Sequence, residues 1–429
     1  MPASHGLLRY LSRATGLRPH ATTWGVARGA QYLAGALALA GAPDLAAQAG
    51  PPVPGQPTAA EPALTEVGFD SGRWTFQGGP PTRVVAGTDT GWTVPGLALL
   101  RDVAFEDGII EVDMYAGFPA LVFHAGKPGE FETVYLRTPR SGHHEALQYG
   151  PVSRGFMPWR LHGDAQAAAR FDTAGGRDAR NRIRAVVQGR RVQVYVNGAA
   201  APSLVATLRH PARGGAVGVW SMGGLDNPGF RFARFRYAAL PHARGGRVAA
   251  ALPAALPGVV TGWELSPPLR GAAVDAYPAP DSARQWRPVT ADFDGLLDVS
   301  RHAGVLVTEG RPAPVAARAT LTRERAGVAR LAFAYCDRAA VFLNGRRVYE
   351  GTLPFLRGTD IPRLAARDTL TLDFRAGRNE LLVVSTGTSY TNGEGDGGWG
   401  FTARLVPDGA QGTAQPVRAT RGSSSARSH

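Results

Sequence analysis

The chain is expected to be all-β, with two tandem antiparallel β-sandwich (jelly-roll) domains. Three observations carry that expectation. Two strings, Val192–Gly198 and Ala340–Gly345, each run as an alternating strand into Asn-Gly. That pair accepts the positive φ angles a tight hairpin turn demands. Short β-branched and aromatic runs recur between Gly, Pro, Asn and Asp, without the period of an amphipathic helix. Finally, 429 residues suffice for two or three cores, and 55 Gly with 33 Pro suit many short strands joined by turns.

Taken in order, the first segment reads as an address. Arg9, Arg13, Arg18 and Arg28 precede an apolar run from Tyr32 to Leu39, and Ala47-Gln48-Ala49 offers a small-residue cleavage pattern. Residues 1–49 are therefore expected to be a signal peptide, the apolar run being too short to span a bilayer. Residues 50–63, rich in Pro, Gly and Ala, read as a flexible linker. Strand-like runs from Arg83 to Tyr237 fill a first domain over 64–240, with Ala165–Arg170 the one short helical candidate. A second linker alternates Ala, Pro and Gly over 241–259. A second domain follows over 260–407, and 408–429 read as a disordered tail. Cys336 lies in an apolar strand; a single cysteine makes no internal disulfide, so a buried thiol is expected.

The formal charge of +13 invites a nucleic-acid reading, which the distribution opposes. Lys127 is the only lysine, and the arginines are spread along the chain rather than gathered into a patch. No nucleic-acid partner is expected, and no P-loop, Gly-x-Ser-x-Gly elbow or His-Glu-x-x-His stretch occurs.

The order Phe105–Asp113, Asn181–Arg184, Val192–Gly198 and Val217–Trp220 resembles the strand sequence of concanavalin A-like (laminin G-type) jelly rolls. Tyr135-Leu136-Arg137 through Ser141-Gly142-His143 to Gln148-Tyr149 resembles a block of secreted bacterial proteins, a type that shades into the 3-keto-disaccharide hydrolase domains. In the second half Ala340–Gly345, Leu370–Phe374, Gly377–Leu381 and Gly397–Phe401 resemble galactose-binding-like jelly rolls. These resemblances imply fold more than function, because such folds host unrelated activities.

Three sets of residues carry candidate chemistry. Strand alternation sends Ile110, Val112 and Met114 to the core and Glu111 and Asp113 outward. Retaining glycosidases of the concanavalin A-like clan carry a related pattern, but Tyr115 or Ala116 stands here where the acid belongs. A tyrosine is a poor proton donor to a leaving sugar at neutral pH.

The segment 137–159 gathers Arg137, Arg140, His143, His144, Glu145, Gln148, Tyr149 and Trp159, with His124 and Tyr135 expected nearby. Arg forks onto hydroxyls, and Trp and Tyr stack on sugar faces. Zinc is disfavoured, because adjacent histidines point to opposite sides of an extended chain. Oxygen-rich stretches at Asp292, Asp294 and Asp298 and at Asn392, Glu394 and Asp396 suit a structural calcium, with the second stretch the preferred position.

The resulting expectation is a secreted or periplasmic, non-catalytic protein that binds a polysaccharide or glycan. Its surface would be a concave sheet carrying Glu111, Asp113, His124, Tyr135, Arg137, Arg140, His143, Gln148 and Trp159. One alternative is a glycoside hydrolase or lyase built on His144, Glu145 and Tyr149; another is a protein-binding adhesion module.

Overall fold

The computed structural model describes residues 62–155, 157–162, 165–210, 214–222, 229–240, 254–269, 273, 275–278, 285–303, 307–308, 311–353, 364, 368–387 and 398–406. By its internal contacts the chain divides into two compact units, residues 1–63 and 64–429, and every sheet among the described residues lies in the second. The expected leader and tail, and Asn392, Glu394 and Asp396, fall outside the described residues.

Antiparallel pairing dominates throughout. Residues 65–239 build two sheets. The eight-stranded sheet runs, in spatial order, Leu204–Thr207, Arg191–Val196, Asn181–Gln188, Gly108–Met114, Phe230–Ala239, Asp89–Val94 and Thr82–Ala86, with Thr65–Glu66 paired on Phe230–Ala239. The seven-stranded sheet runs Gln166–Ala167, Leu147–Val152, Glu130–Leu136, Pro119–Lys127, Ala216–Ser221, Leu97–Leu100 and Trp74–Phe76. Ile110, Val112 and Met114 of one sheet meet Leu121, Phe123, Val134 and Leu136 of the other in one fully buried core. Each such side chain contributes about 1.5–3 kcal/mol by leaving water.

The second half repeats the plan with a six-stranded and a four-stranded sheet. The strand Gly327–Tyr335 belongs to the smaller sheet and Asp337–Leu343 to the larger. The chain changes sheet at buried Cys336 and at Asp337, whose φ is +65°. Leu331, Phe333, Val341, Leu381, Val383 and Phe401 fill the core between them.

Both Asn-Gly pairs adopt positive φ, 52° and 75° at Asn197-Gly198, 51° and 82° at Asn344-Gly345. The second closes a two-residue hairpin, pairing Leu343 with Arg346. After the first, pairing resumes only at Leu204, opposite Val194. Each turn is locked by the same device. Asn197 Nδ2 donates to Asn181 Oδ1 at 2.9 Å while its own Oδ1 accepts from Arg182 N at 2.8 Å. Asn344 Nδ2 donates to Asn379 Oδ1 at 2.9 Å while its Oδ1 accepts from Glu380 N at 3.0 Å. Asn181 and Asn379 are buried, and each spends its remaining capacity on the loop before its strand, at Asp172 and Arg375.

Two local expectations are corrected. Residues 166–167, inside the helical candidate Ala165–Arg170, form a short strand paired on Leu147 and Gln148. An edge of the sheet with open hydrogen-bonding groups outweighs the helix propensity of four alanines. The expected second linker is shorter at its end: Leu256 N donates to Phe293 O, and Val259 bridges Arg404, so this stretch already belongs to the second sandwich.

Buried charge joins the two halves. The segment Met157–His162 lies over the outer face of the seven-stranded sheet, with Met157 and Trp159 against its apolar residues. On its other side Leu161 packs into the second core, and Arg160 donates to Asp337 at 2.9 Å, both side chains at most 2 % exposed. Arg209 reaches across as well, bidentate on Asp294 at 2.9 and 2.8 Å, with Asp292 at 3.2 Å. Asp292 and Asp294, read from sequence as calcium-type ligands, are thus guanidinium partners. Asp298 instead accepts from Arg301 N and caps the helix Val299–Ala303. No helix among the described residues is long and apolar enough to cross a membrane.

Candidate functional site

The outer face of the seven-stranded sheet carries a cross-strand row fixed by register. Gln166 faces Gln148, Gln148 faces Tyr135, Tyr135 faces Ala120, Ala120 faces Trp220, and Trp220 faces Leu97. Directly opposed residues share a face, so these six side chains form one line across the sheet. Tyr135 donates to Gln148 Oε1 at 2.6 Å, Gln166 donates to the same oxygen at 3.1 Å, and Gln148 Nε2 donates to Glu145 O at 2.9 Å. The middle of the row is not an open trough: Tyr135, Gln148 and Ala120 are buried, and Tyr135 and Ala120 share a small apolar cluster with Met157 and Trp159. Trp220, stacked edge-on with Phe131 at 5.6 Å, stays half-buried at one end, and Gln166 at the other.

Beyond the Gln148 end lies the loop 137–146. It is wound on itself: Arg137 N donates to Ala146 O, Arg140 N to Arg137 O, His143 N to Arg140 O, and Ala146 N to His143 O. This winding defeats the extended-chain argument made from sequence. The rings of His143 and His144 lie side by side, centroids 4.2 Å apart and inclined at 38°. Glu145 is fully buried, its Oε2 held by Arg137. Its Oε1 stands 3.8 Å from His144 Nε2 and 4.0 Å from His143 Nδ1. The Arg137 guanidinium also lies 5.7 Å from the Phe118 ring, and Arg140 stays half-buried.

Of the residues singled out by sequence, Tyr135, Arg137, Arg140, His143, His144, Glu145, Gln148 and Trp159 therefore gather on one face and its rim. Four others do not. Glu111 and Asp113 lie on the eight-stranded sheet, so no concave face is shared with Arg137 and Gln148. They point out of the core as alternation requires, yet both are buried under arginines. Arg184, Arg182 and Arg236 contact Glu111, and Arg180, Arg182 and Arg234 contact Asp113. Tyr115 donates to Asp89 beneath Arg231, and burial raises its pKa. Tyr149 faces the interior, where it donates to Glu132 at 2.7 Å and accepts from Arg209 N at 2.8 Å; burial, then Glu132, pushes its phenol well above the usual range. It is separated from His144 and Glu145 by the sheet itself. His124 sits at a bulge with φ 56°, its Nε2 2.7 Å from Glu106 O and its ring against Phe123.

Sequence reasoning missed Trp220 and Phe118, whose isolated positions gave no local signal. It also missed a polar recess of about 410 Å³ whose lining includes Asp89, Asp172, Asp178, Arg180 and Arg234. There the carboxylates and guanidiniums largely satisfy one another, as in Arg180 with Asp89 at 3.0 Å.

No family model and no curated protein matches the chain. Solved structures do. The carbohydrate-binding module CBM66 from Bacillus subtilis is 14% identical, with 38% of this chain and 91% of that one covered and a TM-score of 0.26. The exoplasmic/lumenal domain of VIP36, in a Ca2+/Man3GlcNAc-bound form, is 12% identical over 40% of this chain and 87% of that one, TM-score 0.28. An anti-sigma factor domain-containing protein from Clostridium clariflavum is 10% identical over 74% and 78%, TM-score 0.22. At these values none of them assigns a function.

Proposed function

We propose that the protein is a secreted, non-catalytic saccharide-binding protein whose ligand lies along the rim of the seven-stranded sheet. The observation that carries this reading is the register-fixed row whose half-buried members are Gln166, on the side of the loop that holds Arg137 and the two histidines, and Trp220, with the half-buried Trp159 covering the stretch between. A rim of half-buried aromatic rings, the Gln166 amide and one guanidinium suits a sugar chain: rings stack on C–H faces while the amide and Arg orient hydroxyls. Secretion rests on the Arg-led apolar segment and its Ala47-Gln48-Ala49 pattern. Absence of turnover is supported by the sequestering of Glu111 and Asp113 under arginines, which leaves neither carboxylate placed to flank a glycosidic bond.

The test is a glycan array with the full chain, followed by incubation of the hits and mass analysis. Binding without mass change is expected, with Trp220→Ala and Arg137→Ala each weakening it about tenfold or more. A shortened sugar or a new double bond would replace this reading with a hydrolase or lyase. Silence on every glycan would favour a protein-binding adhesion module.

A further inference from the structure

We propose that His143, His144 and Glu145 bind a divalent transition-metal ion, with Zn2+ the best match. One ligand atom from each of the three lies within 4.8 Å of the others. Three features make this more than a chance grouping. The wound loop puts both imidazoles on the same side, their tilted rings 4.2 Å apart, although they are neighbours in sequence. The carboxylate is pre-positioned: Glu145 is fully buried, and Arg137 clamps Oε2 so that Oε1 is turned toward Nε2 of His144 and Nδ1 of His143. The two histidine side chains are 32 and 33 % exposed while Nδ1 of His143 itself is shut from solvent, so an ion enters as the half-exposed rings turn and keeps water on its remaining positions.

The donor set selects the metal. Two imidazole nitrogens and one carboxylate oxygen match three-ligand zinc sites, whereas calcium and magnesium call for oxygen throughout. Bonds of about 2.0–2.1 Å in tetrahedral array place ligand atoms about 3.4 Å apart. The separations of 3.8 and 4.0 Å to Glu145 Oε1 therefore close by small rotations of two half-exposed rings. Arg137 acts on the metal from outside its shell, fixing the carboxylate as such partners do. The site goes beyond the saccharide reading and does not need it, since the probe is the metal alone.

The experiment is a calorimetric titration of the chelator-stripped full chain with Zn2+, with the absorption bands of bound Co2+ as a second readout. One ion per chain is expected, and no comparable response to Ca2+. His143→Ala and His144→Ala, both at half-exposed positions, are each expected to weaken binding at least about tenfold, since outer-shell partners alone are worth about 10–100-fold. Their circular dichroism and thermal midpoints check that they fold. Failure of the wild-type chain to bind Zn2+ would overturn the proposal. So would equal binding by a folded double variant, which would place the ion on other histidines, or equal affinity for Ca2+.

Discussion

Asn379 holds more of the second sandwich than its size suggests. Its amide donates to Arg375 O and Gly377 O, and its oxygen accepts from Arg375 N and Asn344 Nδ2, all while 1 % exposed. Truncation removes four hydrogen bonds at once, but their partner groups belong to exposed residues that water can reach, so Asn379→Ala is expected to cost about 1–2 kcal/mol, read as a lowered denaturant midpoint. The same substitution at Asn181 should behave alike, because its bonds are the same in kind. Gly345→Ala should cost about 1–2 kcal/mol, since φ of 82° penalises any side chain there. The turns themselves were legible, Asn-Gly being a local code. Their buried asparagine partners were not, because they sit on a neighbouring strand and no local rule reaches them. Glu111 teaches a related lesson: alternation told which way it points, and nothing in its own strand told that Arg184 and Arg236 would cover it.

At the scale of elements, the helix Val299–Ala303 is held by a carboxylate that burial works against. Burial raises Asp298 to about 6, although Ser300, Arg301 N and the Arg301 charge pull it down. The folded protein then holds a proton there more tightly than the unfolded chain does, so stability due to this group falls as pH rises from about 4 to about 6. Asp298→Asn keeps both acceptor bonds and removes that fall. It should gain about 1–3 kcal/mol over wild type at pH 7 and little at pH 4, by guanidinium unfolding at the two values. The candidate site divides the same way between legible and hidden. Residues 135–148 were close in sequence, and two adjacent strands joined by one loop kept most of them close in space. Tyr149 escaped to the interior because each step along a strand changes face. The histidine pair was misjudged because a turn was read as extended chain.

For the whole molecule, the decisive contacts are those between the halves, and the sequence marked none of them as such. Arg160 looked like one arginine among many, and Asp337 like a residue in a strand. Arg160→Ala is expected to cost about 3–5 kcal/mol by removing the buried counter-charge of Asp337, whereas replacing both with apolar residues of similar volume should be nearly neutral. A double-mutant cycle in denaturant distinguishes these. The same region is set against acid. Burial lowers His162, His210 and His302, with Arg301 opposing protonation of all three and His302 brought to about 4. Neutral imidazoles are therefore favoured by folding, and their contribution is lost as pH falls from about 6.5 toward 4. The thermal midpoint should drop across that range, and His302→Gln should blunt the drop even though Asp298 pulls the other way. The bridging ion pairs also impose an order in time. When residue 240 has left the ribosome, Arg160 and Arg209 lack the carboxylates they meet across the halves, because Asp292, Asp294 and Asp337 are still to be made. At about 5–20 residues per second, the roughly hundred residues to Asp337 take about 5–20 s. Through that interval the newborn first sandwich must wait, incompletely closed, for the partner that completes it.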